Sequence, residues 1–279
     1  MDTYIKQNSL WGETLYIKHG KLTLGIPLCF GIRISYVSYD ESENLFFEQP
    51  TSMTDLTTDK GWRVRGGHRL WVAPEGEQTY YPDNEKISYE LTENGVILHQ
   101  KNDPWISMEK TVEISFVSEN SLKVIHTIKN TSDKECRCAL WAVTSVDAGG
   151  IEYIPLTVSE GSSAPVCRFS TWFHTSLGDK RVNYRRESIT INHSPTSERY
   201  KIGIGHPAGP VTYTNKGVVF EKSYEVISNV SYPDGDVSYE TFLCDHMVEI
   251  ESLSPLYNIQ PQETATHIEM WKFLKSETD

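Results

Sequence analysis

Thr111-Val-Glu-Ile-Ser-Phe-Val-Ser-Glu-Asn-Ser-Leu-Lys-Val-Ile-His-Thr-Ile128 is the stretch that decides the fold class. Val112, Ile114 and Phe116 alternate with polar residues, a polar turn follows at Ser118–Ser121, and Leu122, Val124, His126 and Ile128 resume the alternation. Successive side chains of an extended chain point to opposite faces, so this period of two predicts two half-buried strands joined by a turn. His126 falls on the apolar face, where a hydrogen-bonded core histidine is expected rather than a ligand.

The same pattern extends in both directions. Upstream, Ile32, Ile34 and Tyr36 alternate before a polar turn over Tyr39–Asn44 and the apolar triplet Leu45-Phe46-Phe47. Ile87, Tyr89 and Leu91 lead into Glu93-Asn94-Gly95, a hairpin turn, and Val96-Ile97-Leu98 returns. Downstream, Asn130-Thr-Ser-Asp133 is a turn and Ala139–Thr144 reads as a buried strand. Ile189–Ile191, Lys201–Ile204, Val211–Tyr213 and Gly217–Phe220 continue the strand pattern, and Tyr232–Asp236 is a turn. Polar interruptions fall at 159–163 and 179–187; the second carries Lys180, Arg181, Arg185 and Arg186 and reads as a solvated face. Helical periodicity is nearly absent. The expectation is an all-β chain, one domain over residues 1–279, of a dozen or more short and mainly antiparallel strands.

Composition narrows the function classes. The 26 basic and 38 acidic residues give a net charge of −12, against the basic field that phosphate backbones require, so no nucleic-acid partner is expected. No run approaches the roughly 20 apolar residues of a membrane-spanning helix, and Met-Asp-Thr-Tyr-Ile-Lys-Gln-Asn at the start has no apolar signal region. Five scattered cysteines fit reduced thiols in a cytoplasmic protein better than a disulfide framework. Cys136 and Cys138 have no second pair to complete a zinc site, and Asp234-Gly-Asp236 lacks the remaining ligands of a calcium loop. With no Walker or Rossmann glycine pattern either, no cofactor or metal is expected.

Chemistry concentrates in two places. Gly61-Trp-Arg-Val-Arg-Gly-Gly-His-Arg-Leu-Trp-Val-Ala-Pro-Glu75 gathers Arg63, Arg65, Arg69, Trp62, Trp71, His68, Glu75 and a Gly66-Gly67 pair. Guanidinium forks suit sugar hydroxyls, indole plates suit sugar C–H faces, and paired glycines allow close approach to the backbone. The bland alternative is a structural loop with surface arginines and core tryptophans. In Met247-Val-Glu-Ile-Glu-Ser252, Val248 and Ile250 take one face, so Glu249 and Glu251 share the other, their Cα atoms ~7 Å apart. In a sugar pocket, desolvation would raise one of these carboxyls into the range of a general base; on a wet face they are two solvated glutamates. His246, His267, Glu269 and Trp271 could join such a site or lie on the surface.

These residues together resemble the galactose mutarotase-like (aldose 1-epimerase-like) superfamily, nearest to a branch without assigned function. Gly31-Ile-Arg-Ile-Ser35 with Asn44-Leu-Phe46 looks like the family's opening strand and Asn-Leu turn. Gly66-Gly-His68 with Trp71 is similar to its His-Gly-Gly region, with the order of residues changed. Ile128-Lys-Asn-Thr-Ser-Asp133 resembles its central turn. Glu249-Ile-Glu-Ser-Leu253 with Pro255, Gln260-Pro-Gln-Glu-Thr264 and Glu269-Met-Trp271 are similar to its last strands. The resemblance implies a β-supersandwich whose concave face binds a monosaccharide. It places Glu251 as general base, His68 as the histidine of the Gly-Gly motif, and Arg65 or Arg69 on sugar hydroxyls, with Trp71, Glu75 and Glu249 completing the substrate site. One position departs: Ala139–Asp147 has no histidine where the family carries its catalytic acid. Either His68, His174 or His246 then protonates the ring oxygen, or the protein binds carbohydrate without catalysis.

Overall fold

The computed structural model describes residues 1–158, 167–196 and 198–277. The chain begins with an antiparallel meander of β1 (Asp2–Asn8), β2 (Gly12–His19), β3 (Leu22–Pro27) and β4 (Tyr36–Tyr39). A long loop leads to β5 (Gly67–Ala73). β6 (Ser88–Thr92), β7 (Gly95–Asp103), β8 (Met108–Ser118) and β9 (Ser121–Asn130) form a second meander. β10 (Cys136–Asp147) is followed by β11 (Ile151–Pro155), β12 (Phe169–Thr171), β13 (Val182–Tyr184) and β14 (Ser188–Asn192). Next come β15 (Tyr200–Ile204), β16 (Val211–Asn215) and β17 (Val218–Tyr224). The last strands are β18 (Tyr239–Leu243), β19 (Met247–Leu253), β20 (Tyr257–Ile259) and β21 (Thr264–Lys275).

Beyond the four-stranded opening sheet, two large sheets carry the architecture. One has seven strands in the order β12-β15-β18-β19-β10-β20, with β5 paired to the other side of β10. The other has ten, in the order β13-β14-β11-β16-β17-β21-β9-β8-β7-β6. The hairpin that decided the fold class is β8–β9, in register with Val112 opposite His126 and closing at Ser118 and Ser121. Leu140 and Val146 of β10, Val248 and Ile250 of β19, and Val124 and Ile128 of β9 belong to one continuous buried cluster between the two large sheets. Period-two geometry then sends Trp141, Val143 and Ser145 of β10, and Glu249 and Glu251 of β19, to the opposite, outer face of the seven-stranded sheet. A second apolar cluster lies on that outer face, formed by Phe47, Trp62, Trp71, Trp141, Val143, Met247 and Leu253.

Four differences from the sequence reading have physical causes. The opening strands β1–β3 were not anticipated; the signal was Leu15, Ile17, Leu22, Leu24 and Ile26 flanking the turn glycine Gly20 (φ +58°). Gly66 and Gly67 do not receive a ligand: both have positive φ, and a Cβ at either would meet protein backbone, Phe47 O at 1.9 Å and Ile34 O at 2.4 Å. They serve a close crossing of the chain over itself. Arg181, expected on a solvated face, is buried and forms a two-pronged ion pair with Asp179, Nη2 to Oδ2 at 2.7 Å and Nε to Oδ1 at 3.0 Å. His267, Glu269 and Trp271 are neither pocket nor surface; all three are buried between the sheets. The interruption expected at 159–163 lies outside the described residues. Among the described residues no helix is long and apolar enough to cross a membrane.

Candidate functional site

On the outer face of the seven-stranded sheet a cavity of ≈ 490 Å³ opens, within the roughly 300–1,000 Å³ of small-molecule sites. Its floor is set by strand parity: Arg69 and Trp71 from β5, Trp141 from β10, Lys201 from β15, Phe242 from β18 and Glu249 from β19. Its walls come from loops carrying Trp62, Glu75, Tyr80, Trp172, Phe173, His174 and Arg199. Three indoles form a column, Trp62 on Trp71 (centroids 5.5 Å, 7° between planes) and Trp71 on Trp141 (5.1 Å, 15°). Tyr80 meets both Trp62 and Trp71 edge-on at 4.9 and 5.0 Å. The offset, near-parallel geometry is the favoured one for aromatic pairs and gives the wall a fixed shape.

Two cations are held against this column. The Arg69 guanidinium lies 4.7 Å from the Trp71 ring centre and 5.7 Å from that of Trp62. Its Nη2 is 3.4 Å from Glu249 Oε1, which also accepts the Ser145 hydroxyl at 2.9 Å. Arg69 Nε and Nη1 are buried with no acceptor among the described residues. Lys201 Nζ sits between the rings of Trp141 (4.6 Å) and Trp172 (4.8 Å), 2.7 Å from Glu240 Oε2 and 3.3 Å from Glu251 Oε2. Register explains the convergence, because Glu240 on β18 stands directly opposite Glu251 on β19.

Glu251 is fully buried behind Trp141, whose Nε1–H donates to its Oε2 at 2.7 Å, while its Oε1 has no partner among the described residues. Burial pushes its carboxyl up to about 7, with Lys201 pulling the other way and Glu249 adding to the rise. Burial likewise lifts Glu240 to about 8, against Lys201 and with Glu251. Burial works against the Lys201 ammonium, but Glu251 and Glu240 outweigh it and hold the group above the ordinary lysine range. One ammonium therefore serves two carboxyls that burial inclines toward the neutral form.

The inner face of the same strands carries a different network. His126 Nδ1 lies 3.0 Å from the carbonyl of His267, which can only accept, so this nitrogen bears the proton. The His126 ring is neutral, burial having lowered its pKa, so its Nε2 accepts from His68 Nε2–H at 2.7 Å. His68 Nδ1 then accepts the Thr144 hydroxyl at 2.8 Å, and Thr144 Oγ1 accepts from Lys222 Nζ at 3.0 Å. Lys222 also donates to the carbonyls of Ala142 (3.0 Å) and Ile250 (2.9 Å) and pairs with Glu269 Oε1 at 2.8 Å. Ser252 and Trp271 donate to Glu269 as well. Burial opposes the Glu269 charge, but Lys222 and the surrounding histidines outweigh it and hold the carboxyl far below its usual range.

His68, His126 and Glu269 are the one grouping of metal-ligand chemistry among the described residues, their donor atoms within 4.8 Å of one another. The set does not fit a divalent ion. The two imidazole nitrogens already share a proton, and the Lys222 ammonium occupies the position beside Glu269 that a cation would take.

The residues singled out from the sequence divide accordingly. Arg69, Trp71, Glu75 and Glu249 line the cavity, and Glu251 lies directly behind its wall. His68 shares a strand with Arg69 but, one residue away, points to the inner face and cannot reach the cavity. Arg65 lies elsewhere, its guanidinium 4.1 Å from the Phe30 ring centre and hydrogen-bonded to Asn84. His246 pairs with Asp245 at 3.0 Å outside the cavity, which leaves His174 as the cavity's histidine. Trp141, Trp172, Lys201 and Glu240 were not anticipated as site residues. A charged residue inside an apolar strand, Lys201 before Ile202 and Glu240 between Tyr239 and Thr241, was the available signal.

The arrangement is that of an antiparallel β-sandwich with an aromatic and charged cavity on one sheet. No family model and no curated protein matches the chain. Solved structures do. A galactose mutarotase-like protein from Lactobacillus casei superposes with a TM-score of 0.56 at 12% identity, over 94% of this chain and 100% of the other. A second, from Clostridium acetobutylicum, gives 0.57 at 8% identity over 99% of each chain. The Slr1438 protein of Synechocystis gives 0.60 at 10% identity, over 94% of this chain and 96% of the other. The chain has the galactose mutarotase-like β-sandwich fold, as the sequence resemblance implied.

Proposed function

We propose that this protein binds a monosaccharide or sugar derivative in the cavity on the outer face of its seven-stranded sheet. One observation carries the reading: Arg69, buried against Trp62 and Trp71, has Nε and Nη1 with no acceptor among the described residues. Leaving buried donors unpaired costs about 1–3 kcal/mol each, a cost that ligand oxygens remove on binding. Hydroxyl oxygens beside aromatic surfaces match sugar chemistry, and the fold's relatives include galactose mutarotase-like proteins. Ligand-detected saturation-transfer NMR over a panel of aldoses and sugar phosphates tests it. At least one sugar should bind saturably to the wild type and at least tenfold more weakly to Arg69→Ala; equal binding by both removes Arg69 from the site.

Aldose 1-epimerase-like catalysis is the second reading, favoured by Glu251. Its Oε1, without a partner among the described residues, and a carboxyl pushed up to about 7 suit a general base near neutral pH. On this reading Glu251→Gln abolishes accelerated anomer exchange and leaves sugar binding intact. Binding without any acceleration by the wild type leaves the protein a carbohydrate-binding protein alone.

A further inference from the structure

Phe173 is 99% exposed, yet it lines the cavity mouth. An isolated surface aromatic is ordinary, but this one is presented on a fastened turn. Thr175 N–H donates to Trp172 O at 2.9 Å, and Trp172 N–H donates to Thr175 Oγ1 at 3.3 Å. The Thr175 hydroxyl donates to the Lys201 carbonyl and accepts from the Lys201 N–H at 3.2 Å. Trp172 is further clamped over the Lys201 ammonium at 4.8 Å. The turn is thus tied to β15 on both sides of Phe173. Beside it stands His174, edge-to-face with Phe173 (4.8 Å, 88°) and with Phe242 (6.0 Å, 90°). His174 Nε2 is buried and has no partner among the described residues, and burial lowers the ring's pKa, so the imidazole is neutral near pH 7.

We propose that Phe173, His174 and Phe242 form an outer subsite for a second sugar ring, so that the ligand is a glycoside or oligosaccharide rather than a free monosaccharide. The proposal rests on the carbohydrate reading of the cavity and extends it outward. An aromatic ring beside an imidazole nitrogen with no partner among the described residues repeats, at the mouth, the pairing of aromatic surface and unsatisfied hydrogen-bonding group that the indole column and Arg69 make on the floor. Phe173, His174 and Phe242 line the same cavity as Arg69 and Lys201, so one ligand longer than a single ring can meet both groups. Exposure of Phe173 is then the free state of a contact completed by ligand.

Calorimetric titration of the wild type, Phe173→Ala and Phe173→Trp tests this with glucose and galactose against maltose, cellobiose and lactose. At least one disaccharide should bind the wild type on the order of tenfold more tightly than its component monosaccharide, the weight of one buried aromatic contact. Phe173→Ala should erase that difference, and Phe173→Trp should keep it. Monosaccharide binding with no disaccharide preference, or a preference that survives Phe173→Ala, overturns the outer subsite while the inner site stands. Absence of binding by every sugar overturns both.

Discussion

Lys222→Met is the perturbation that most severely tests how this sandwich supports its site. Lys222 is 1% exposed, donates to Ala142 O, Ile250 O and Thr144 Oγ1 at 2.9–3.0 Å, and pairs with Glu269 at 2.8 Å. Ala142 and Ile250 neighbour Trp141 and Glu251, so one ammonium ties together from behind the two strands that carry them. Removing it strands a buried carboxylate and leaves two carbonyls short of a donor. Breaking a buried pair from one side costs ~3–5 kcal/mol, a large share of a typical ~5–15 kcal/mol of folding stability. Glu269→Gln leaves the Lys222 ammonium without its carboxylate but should cost less, because three oxygen acceptors, Ala142 O, Thr144 Oγ1 and Ile250 O, remain around it. In the double variant no charge is left unpaired, so its loss should fall below the sum of the singles by ~2 kcal/mol. Denaturant unfolding of the four proteins measures the cycle. Losses that simply add, or a Lys222→Met cost under ~1 kcal/mol, would refute the reasoning. The acid limb offers an internal check. His68, His126 and His267 have folded pKa values below the ordinary 6.5, His267 down to about 3, so neutral-ring stability is lost as pH falls below 6.5. Glu269, also depressed, loses its contribution as pH falls further, and Glu269→Gln should flatten that part of the curve.

Glu152 is fully buried, accepts hydrogen bonds from the Tyr239 and Thr241 hydroxyls, and is pushed up to about 7 by burial. A raised carboxyl gives stability present below its unfolded pKa and lost as pH rises through 7. Glu152→Gln should therefore gain ~1–3 kcal/mol on the wild type between pH 5 and pH 8, seen in melting temperature against pH; a constant offset sinks the assignment. Gly66→Ala places a methyl group 1.9 Å from Phe47 O at φ +82° and should cost more than ~2 kcal/mol. Gly61→Ala, at φ +90° with open space around it, should cost only ~1 kcal/mol, so equal losses would show that the chain crossing is not tight.

Much of this was legible in the sequence because strand parity is local. Val112 to Ile128 gave two strands joined by a turn, and Met247 to Ser252 gave the correct split of Glu249 and Glu251 from Val248 and Ile250. Parity also separates His68 from Arg69, yet a motif-based reading grouped them, since both belong to one dense polar stretch. What sequence could not supply was the pairing of distant strands. Lys201 meets Glu251 only because β18 lies between β15 and β19, and Lys222 reaches Ala142 only because the two sheets stack. The paired glycines show the same limit: a close approach to the backbone was readable, but whether ligand or protein backbone made it was a tertiary matter.

The carbohydrate site itself is tested most directly by the indole N–H signals of the seven tryptophans. Trp62, Trp71, Trp141 and Trp172 line the cavity, and Trp11, Trp105 and Trp271 lie elsewhere. Titrating a binding sugar into ¹⁵N-labelled protein should move the four cavity signals with one midpoint and leave the other three in place, with the midpoint rising in Arg69→Ala. Saturable binding that moves Trp11 or Trp105 while the four stay fixed, or no response of any indole to any sugar, would contradict the account.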